Sequence, residues 1–565
     1  MNSKSLNGAQ WLARALSDNN ITHVFFIDAV LRNTLVQLDL PDHKKVKRVL
    51  AHSEKSAAYM ADGYARASGR PGFCFAQSVG AANLAAGLQD AWLGQSPVIA
   101  LTGRKQSTFQ HRNAYQEVMH KPLFSAVTKL TAAVEHAEDL PRLFLQACRK
   151  ATNGRPGPVH LDLNGIYGDI VELGEVNQAV PSIEELKENQ PIHRTISQRS
   201  RLTEAAQQLK SHKKVVIIAG RGAAISQAGA EIIALAERLH APIATELGAL
   251  DIIPYAHPNF IGVAGRYAAP PTNEIIYSAD LVFFIGSDTG ELVTDSWQVP
   301  ALEKKVLQID INPIEFGRSY SETYGLAGDP KLTVSELLKL VDESVSDSTY
   351  LNWAREITRK WHEKLSLDEK SQANPIHVSR LLDAINETLP ENAVVVADTG
   401  FSAIWTATHL KLNGVNQKFF HAAGSLGWAF PAAIGAKCAL PESPVICFTG
   451  DGGFYYHMSE LETAKRLGVP LVVVVNNNSG FGQSWTNISR TQGSFPGDPS
   501  ELAKFGPTNF ANIAESFAIR SRRVENPSEL EDALKEALNS DELFLLDIVT
   551  DFNARAPQPW LPSRK

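Results

Sequence analysis

The feature that most constrains this chain is a repeated alternation of short, unbroken apolar runs with helix-length segments. The runs fall at 23–27, 97–101, 215–219, 281–285, 306–309, 393–397, 445–449 and 471–475. One of them contains Val472-Val473-Val474-Val475 without a polar residue. A strand with one wet face alternates apolar and polar residues, whereas a strand covered on both faces does not. Runs of this kind, separated by helical patterns, predict an α/β chain of doubly wound parallel sheets.

The chain has 565 residues, and at roughly 150 residues per domain this length suggests about three or four domains. Two polar stretches, 174–194 and 342–375, read as linkers; the second is charged and partly helical. They divide the chain into 1–180, 190–340 and 370–565, the last ending in an extended arm at 551–565 that carries prolines. The first and third segments look alike in layout.

The formal net charge is −7, so no basic footprint calls for nucleic acid. No apolar run approaches the ~18 residues of a membrane span. Cys74, Cys148, Cys438 and Cys447 form no CxxC pair, which argues against a disulfide framework or a zinc site. The first residues lack the apolar core of a secretory signal, and a cytoplasmic protein is expected.

Chemistry concentrates in the third segment. The run at 445–449 is followed by Gly450-Asp451-Gly452-Gly453, and the run at 471–475 by Asn476-Asn477-Asn478. Neighbouring parallel strands deliver their carboxyl ends to one crevice, so Asp451 and the asparagines arrive together. Glycine N–H groups and helix N-termini there favour an anion. A carboxylate and an amide oxygen are hard ligands that suit Mg²⁺ bridging a diphosphate. Either motif alone reads equally well as a turn.

Taken together these motifs resemble the thiamine diphosphate enzymes of the acetolactate synthase, pyruvate oxidase and benzoylformate decarboxylase superfamily, whose fingerprint is GDG followed by NN. The resemblance implies a pyrimidine-binding, a central and a diphosphate-binding domain. It implies that Asp451, Asn478 and the Gly480 carbonyl hold the metal and that Gly452 and Gly453 line the diphosphate. Asn478 stands 27 positions after Asp451, and the additional Asn476 leaves a choice of register.

The segment from Ala422 to Ala436 is similar to the family's stretch under the aminopyrimidine. By that match the Gly424 carbonyl accepts from the 4′-amino group, and Leu426 is the wedge that bends the cofactor. The stretch from His52 to Arg66 is similar to the family's helix whose Glu protonates the pyrimidine. This identifies Glu54 as the catalytic acid, with Ser53 in place of the usual His, and predicts an enclosed carboxyl whose charge desolvation disfavours.

Further matches are Gln77-Ser78-Val79-Gly80, Leu101-Thr102-Gly103 and Asn113-Ala114-Tyr115-Gln116-Glu117. The resemblance implies a substrate pocket drawn from Asp28, Gln77, Tyr115, Gln116, Gln483 and Trp485, with His111, His421 and His457 as possible proton carriers. Three departures stand out. The turn Asp28-Ala29-Val30-Leu31 replaces a Pro-Gly-Gly-like turn, and Arg32 beside it could pair a carboxylate. The Arg of the Arg-Gln-Trp run of acetolactate synthases is missing after Asn478. In Gly220-Arg221-Gly222-Ala223-Ala224-Ile225 the last Gly of a nucleotide-binding turn is absent.

The resemblance implies catalysis dependent on thiamine diphosphate and Mg²⁺, breaking or making a C–C bond beside a carbonyl. A 2-oxo acid decarboxylase or carboligase of acetolactate synthase type leads. Hydrolytic cleavage of a cyclic 1,2-diketone is the alternative, suggested by Gly480-Phe481-Gly482. A catalytically silent homologue serving as a subunit or binding module is disfavoured by the presence of Glu54, Gly424, Leu426, Asp451 and Asn478. FAD, which acetolactate synthases and pyruvate oxidases carry, is the less favoured expectation for the central domain. Because Glu54 and the diphosphate residues lie in different domains, the family pattern implies at least a homodimer, with a homotetramer expected.

Overall fold

In a computed structural model, the described residues are 5–43, 46–341, 348–414, 416–490 and 497–562. They build three six-stranded sheets in which every pairing is parallel. The first sheet comprises β1 (His23–Phe26), β2 (Lys47–Leu50), β3 (Gly72–Ala76), β4 (Val98–Arg104), β5 (Thr131–Val134) and β6 (Val159–Asn164), in the order β2-β1-β3-β4-β6-β5. The second comprises β7 (Val215–Ala219), β8 (Ile243–Thr245), β9 (Phe260–Val263), β10 (Leu281–Ile285), β11 (Lys305–Asp310) and β12 (Thr323–Ala327), in the order β9-β8-β7-β10-β11-β12. The third comprises β13 (Val394–Ala397), β14 (Lys418–His421), β15 (Val445–Gly450), β16 (Val472–Asn477), β17 (Arg520–Val524) and β18 (Phe544–Val549), in the order β14-β13-β15-β16-β18-β17.

The outer two sheets thus share one strand order, which is the common layout suggested by the sequence. Each has a switch point between its first and third strands, where the loops leave in opposite directions and open a crevice at the carboxyl edge. The inner strands are buried on both faces, as their unbroken apolar runs require, whereas edge strands such as β2 and β17 are only partly buried. The stretch 348–370 contains one long helix, Thr349–Glu369. No helix among the described residues is long and apolar enough to cross a membrane.

Six helices position the site: α1 (Glu54–Ser68), α2 (Gly80–Leu93), α3 (His120–Ser125), α4 (Ala429–Ala439), α5 (Asp451–Phe454) and α6 (Gly482–Arg490). α1 and α4 join the first and third domains at the closest distance backbone allows. A Cβ on Gly63 would lie 2.1 Å from the Ala432 carbonyl oxygen, and one on Gly435 would lie 1.9 Å from that of Met60. Around this contact the Trp428 indole donates to Asp62 at 2.9 Å. Arg66, almost fully buried, bridges Asp62 at 2.7 Å and Asp90 at 3.0 Å. Two carboxylates around one guanidinium satisfy a charge that would be costly to bury alone.

The arm after Asp551 lies back on the central domain. The Trp560 ring sits 5.3 Å from that of Tyr277, and its carbonyl accepts from Asn273.

Candidate active site

The register of β15 and β16 pairs Gly450 with Asn476, so the residues that follow each strand emerge side by side. Asp451 is buried. One of its oxygens accepts from the Gly452 N–H at 2.8 Å and the other from the Gly480 N–H at 3.0 Å. Burial nevertheless pushes this carboxyl up to about 7. A carboxylate held at such a cost in a crevice is matched to a cation.

The three asparagines separate by function. Asn476 Oδ1 accepts from Thr550 at 2.6 Å. Asn477 donates to Asp547 at 2.8 Å and to the Thr508 carbonyl at 2.9 Å. Asn478 Oδ1 is buried and has no hydrogen-bond partner. Buried polar atoms are almost always paired, so this free acceptor is available for a ligand. Ser479 adopts φ +57°, turning the chain so that Gly480 faces back onto Asp451.

Beside them the 422–428 segment forms a bare strip of backbone. A Cβ on Gly424 would meet nothing within 4 Å. Its flanking N–H groups, Ala423 and Ser425, each donate to Asp90 at 3.0 Å. Leu426 is half-buried next to it. Gly452 and Gly453 lie under two walls: a Cβ on Gly452 would strike the Phe481 ring, and one on Gly453 would strike Asp398.

Sequence reasoning missed Asp398. It is wholly buried and accepts from Thr399 N–H at 2.8 Å, Gly427 N–H at 3.1 Å and Thr449 Oγ1 at 3.1 Å. It therefore ties the ends of β13 and β15 to the Gly424 strip. Burial lifts it to about 6 despite these donors. The available signal was a lone acid, Ala397-Asp398-Thr399-Gly400, directly after an apolar run.

In the first domain Glu54 opens α1. Its Oε2 accepts from Asn83 Nδ2 at 2.8 Å, and a Cβ on Gly80 would lie 2.4 Å from Oε1. In the single chain Glu54 is half-buried. It follows β2 at the carboxyl edge of the sheet and packs against the start of α2. The Gly424 strip touches α2 at Gln89 and Asp90, whereas Glu54 touches it at Gly80 and Asn83. At 1.5 Å rise per residue, these points are about 9–15 Å apart along the helix.

The other expected pocket residues are placed as follows. Gln77 Oε1 is buried without a partner. The Gln116 carbonyl accepts from Ser78 Oγ at 2.6 Å. Tyr115 is 75 % exposed on the rim. Asp28 and Arg32 pair with each other at 3.2 Å at the surface, so Arg32 already has its carboxylate. Ala29 and Leu31 adopt φ +75° and +45°, glycine-like geometry in the turn that lacks glycine. Gln483 lies over Gly400, its Oε1 3.5 Å from where a Cβ would be. Trp485 stacks toward Phe552, with the Lys504 ammonium 4.8 Å above its ring.

Of the histidines, His111 is exposed. Burial lowers His421 to about 3 and His457 to about 4, and His457 Nε2 is unpartnered.

At the central switch point, a Cβ on Gly220 would lie 2.4 Å from the Gly286 carbonyl oxygen. This glycine turn therefore serves loop packing. Glu246 and Asp310 line the same region, both lifted to about 7 by burial.

Two crevices of like topology, one presenting an acid on a helix and the other a diphosphate-type cradle, define a thiamine diphosphate enzyme that makes or breaks C–C bonds. Comparison with known proteins agrees along the chain. Residues 6–123 match the thiamine pyrophosphate enzyme N-terminal TPP binding domain, 202–337 the central domain and 398–548 the C-terminal TPP binding domain. The chain is 32 % identical to the probable acetolactate synthase large subunit of Methanococcus aeolicus, covering 97 % of this chain and 92 % of that protein. Identity to the probable acetolactate synthase large subunit of Methanocaldococcus jannaschii is also 32 %, over the same shares. The acetolactate synthase isozyme 2 large subunit of Escherichia coli is 29 % identical, covering 97 % and 96 %. The chain belongs to the thiamine pyrophosphate enzyme family, within the superfamily of acetolactate synthase and pyruvate oxidase.

Proposed function

We propose that the protein is a 2-oxo acid decarboxylase or carboligase of acetolactate synthase type, using thiamine diphosphate and Mg²⁺. The observation that carries the metal assignment is the buried, unpartnered Oδ1 of Asn478 beside the charge-starved Asp451. With the Gly480 carbonyl these form a set of hard oxygen donors, which suits Mg²⁺. Gly452 and Gly453 would line the diphosphate, Leu426 would support the cofactor, and the Gly424 carbonyl would accept from its amino group. The bare face of Gly424 supports this cradle.

When bound, thiamine diphosphate supplies the electron sink that lets a bond beside a carbonyl break or form. Glu54 would supply the acid toward the pyrimidine ring, and Asn83 fixes which way its carboxyl points. Gln77 and Gln483 offer amides for the substrate's carbonyl and carboxylate. Tyr115, Gln116, Asp28 and Trp485 form the rim of the pocket.

A homodimer completes the site. Glu54 and the Gly424 strip of one chain meet separate turns of α2, which supports an acid supplied to each strip by a second copy, and two such dimers would make the tetramer. A central domain without FAD is supported by the Gly220 turn, whose backbone is closed off by Gly286, and by the carboxylates near it. Absence of flavin absorbance in the purified protein is the expected result. A cytoplasmic location fits the free thiols Cys74, Cys148, Cys438 and Cys447.

The test is product identification by mass spectrometry with pyruvate, an aromatic 2-oxo acid and a cyclic 1,2-diketone as donors. A 2-hydroxy ketone or an aldehyde from a 2-oxo acid is expected. Turnover of the diketone alone would select the hydrolase reading.

A further inference from the structure

Behind the pocket of the first domain lies a buried polar cluster whose donors run in one direction. His160 on β6 is held neutral, because burial lowers it to about 3. Its Nδ1 lies 2.8 Å from Thr131 Oγ1 on β5, and its Nε2 lies 2.7 Å from Thr102 Oγ1 on β4. Thr102 in turn donates to Asp162 Oδ1 on β6 at 3.0 Å. The assignment is Thr131 to His160, His160 to Thr102, and Thr102 to Asp162, the shorter of its two remaining contacts, since Thr102 Oγ1 also lies 3.3 Å from His120 Nδ1.

His120, the first residue of α3, meets the same carboxylate from the other side. It is 2 % exposed. Its Nδ1 lies 2.8 Å from Asp162 Oδ1 and its Nε2 lies 2.8 Å from the Ser78 carbonyl oxygen. A carboxylate and a carbonyl are both acceptors, and a neutral imidazole donates from only one nitrogen. With a single proton, a lone pair would face an acceptor in a site closed to water. The other charged groups facing the pair are Arg104 on β4, whose Nε is 3.7 Å from Asp162 Oδ2, and Glu135, which pairs with Arg104.

His120, His160 and Asp162 are close enough together to suggest a metal site, but all four ring nitrogens already have protein partners. What the cluster grips is the loop between β3 and α2. The Ser78 carbonyl is taken by His120 and its hydroxyl is committed to the Gln116 carbonyl. The residue before it is Gln77, whose free Oε1 faces no protein donor. The second residue after it is Gly80, against which Glu54 rests.

We infer that His120 is a positioning residue of the active site: an imidazolium, anchored by Asp162, that fixes the Ser78 carbonyl and so sets where Gln77 stands relative to Glu54. This rests on the reading of Gln77 as a pocket residue given above. Neutron diffraction from perdeuterated holoenzyme at neutral pD reads the ring directly. Deuterium on both Nδ1 and Nε2 is expected, and a bare nitrogen overturns the proposal.

Kinetics with pyruvate as the probe tests the positioning. His120→Gln carries an amide that reaches as far as Nε2, whereas the amide of His120→Asn reaches only as far as Nδ1. Loss of a charge-assisted hydrogen bond predicts a fall of about 10–100-fold in kcat/KM for the Asn variant, with thiamine diphosphate affinity unchanged. The Gln variant should recover to within about fivefold, since one donor to Ser78 returns. Equal losses in the two variants, or a loss below about threefold in the Asn variant, overturn it. Should either variant fail to fold, the wild-type ring still decides. A wild-type enzyme that turns over no 2-oxo acid would count against the proposed function, while the protons on His120 remain readable.

Discussion

Asn83 donates to Glu54 at 2.8 Å across the N-termini of α2 and α1, and Gly80 leaves no room on the other side of the carboxyl. The acid is thus aimed by its own domain before any partner or cofactor arrives.

Glu54→Gln keeps the shape of that side chain and removes its acidity. The rate in saturating cofactor should fall by about 10²–10⁴, as for lost acid–base catalysis. Steady-state turnover is the measurement. A rate within about threefold of wild type would remove Glu54 from the mechanism.

Mixing two dead variants tests the shared site. In a symmetric dimer of Glu54→Gln with Asp451→Asn, one site receives both lesions and the other receives neither. Co-refolded or co-expressed chains should regain about a quarter of wild-type activity, given random pairing of the two chains. Continued inactivity of the mixture would mean that each chain supplies its own acid.

Metal affinity should depend on pH through Asp451. Its carboxyl titrates near 7 in the folded chain instead of near 3.8, so the folded state binds a proton that the unfolded state releases between those values. For this group alone, stability without metal falls as pH rises from about 4 to about 7. Mg²⁺ must displace that proton, so its affinity should rise by up to about tenfold per pH unit below 7 and level off above it. Calorimetric titration in two buffers of different ionisation heat would also register the released proton.

The asparagine run should divide by phenotype. Asn478→Ala should weaken Mg²⁺ and thiamine diphosphate binding at least about tenfold, with little change in Tm. Asn477→Leu strips a donor from the buried Asp547 and should instead cost about 1–3 kcal/mol of stability. Cofactor titration and thermal melts separate the two, and the reverse pattern would move the metal ligand to Asn477.

The sheets were legible because burial on both faces leaves an unbroken apolar signature, and the runs at 215–219 and 281–285 coincide with β7 and β10. Asp451 and Asn478 could be singled out in sequence because each follows such a run. Asp398 obeys the same rule but has no partner motif in sequence, and its meaning comes from Gly427 and Thr449, which only folding brings near. The His120–Asp162 contact spans 42 positions and leaves no local pattern. Glu54 is half-buried in the single chain, and the sequence of one chain carries no mark of what a second copy would cover.

The glycines of α1 and α4 have a last consequence. Where Gly63 and Gly435 let two backbones interlock, neither helix can slide or tilt without collision, so the first and third domains cannot act as jaws around a hinge. Admission of substrate and release of product then fall to the surface loops, among them the segment that bears Tyr115.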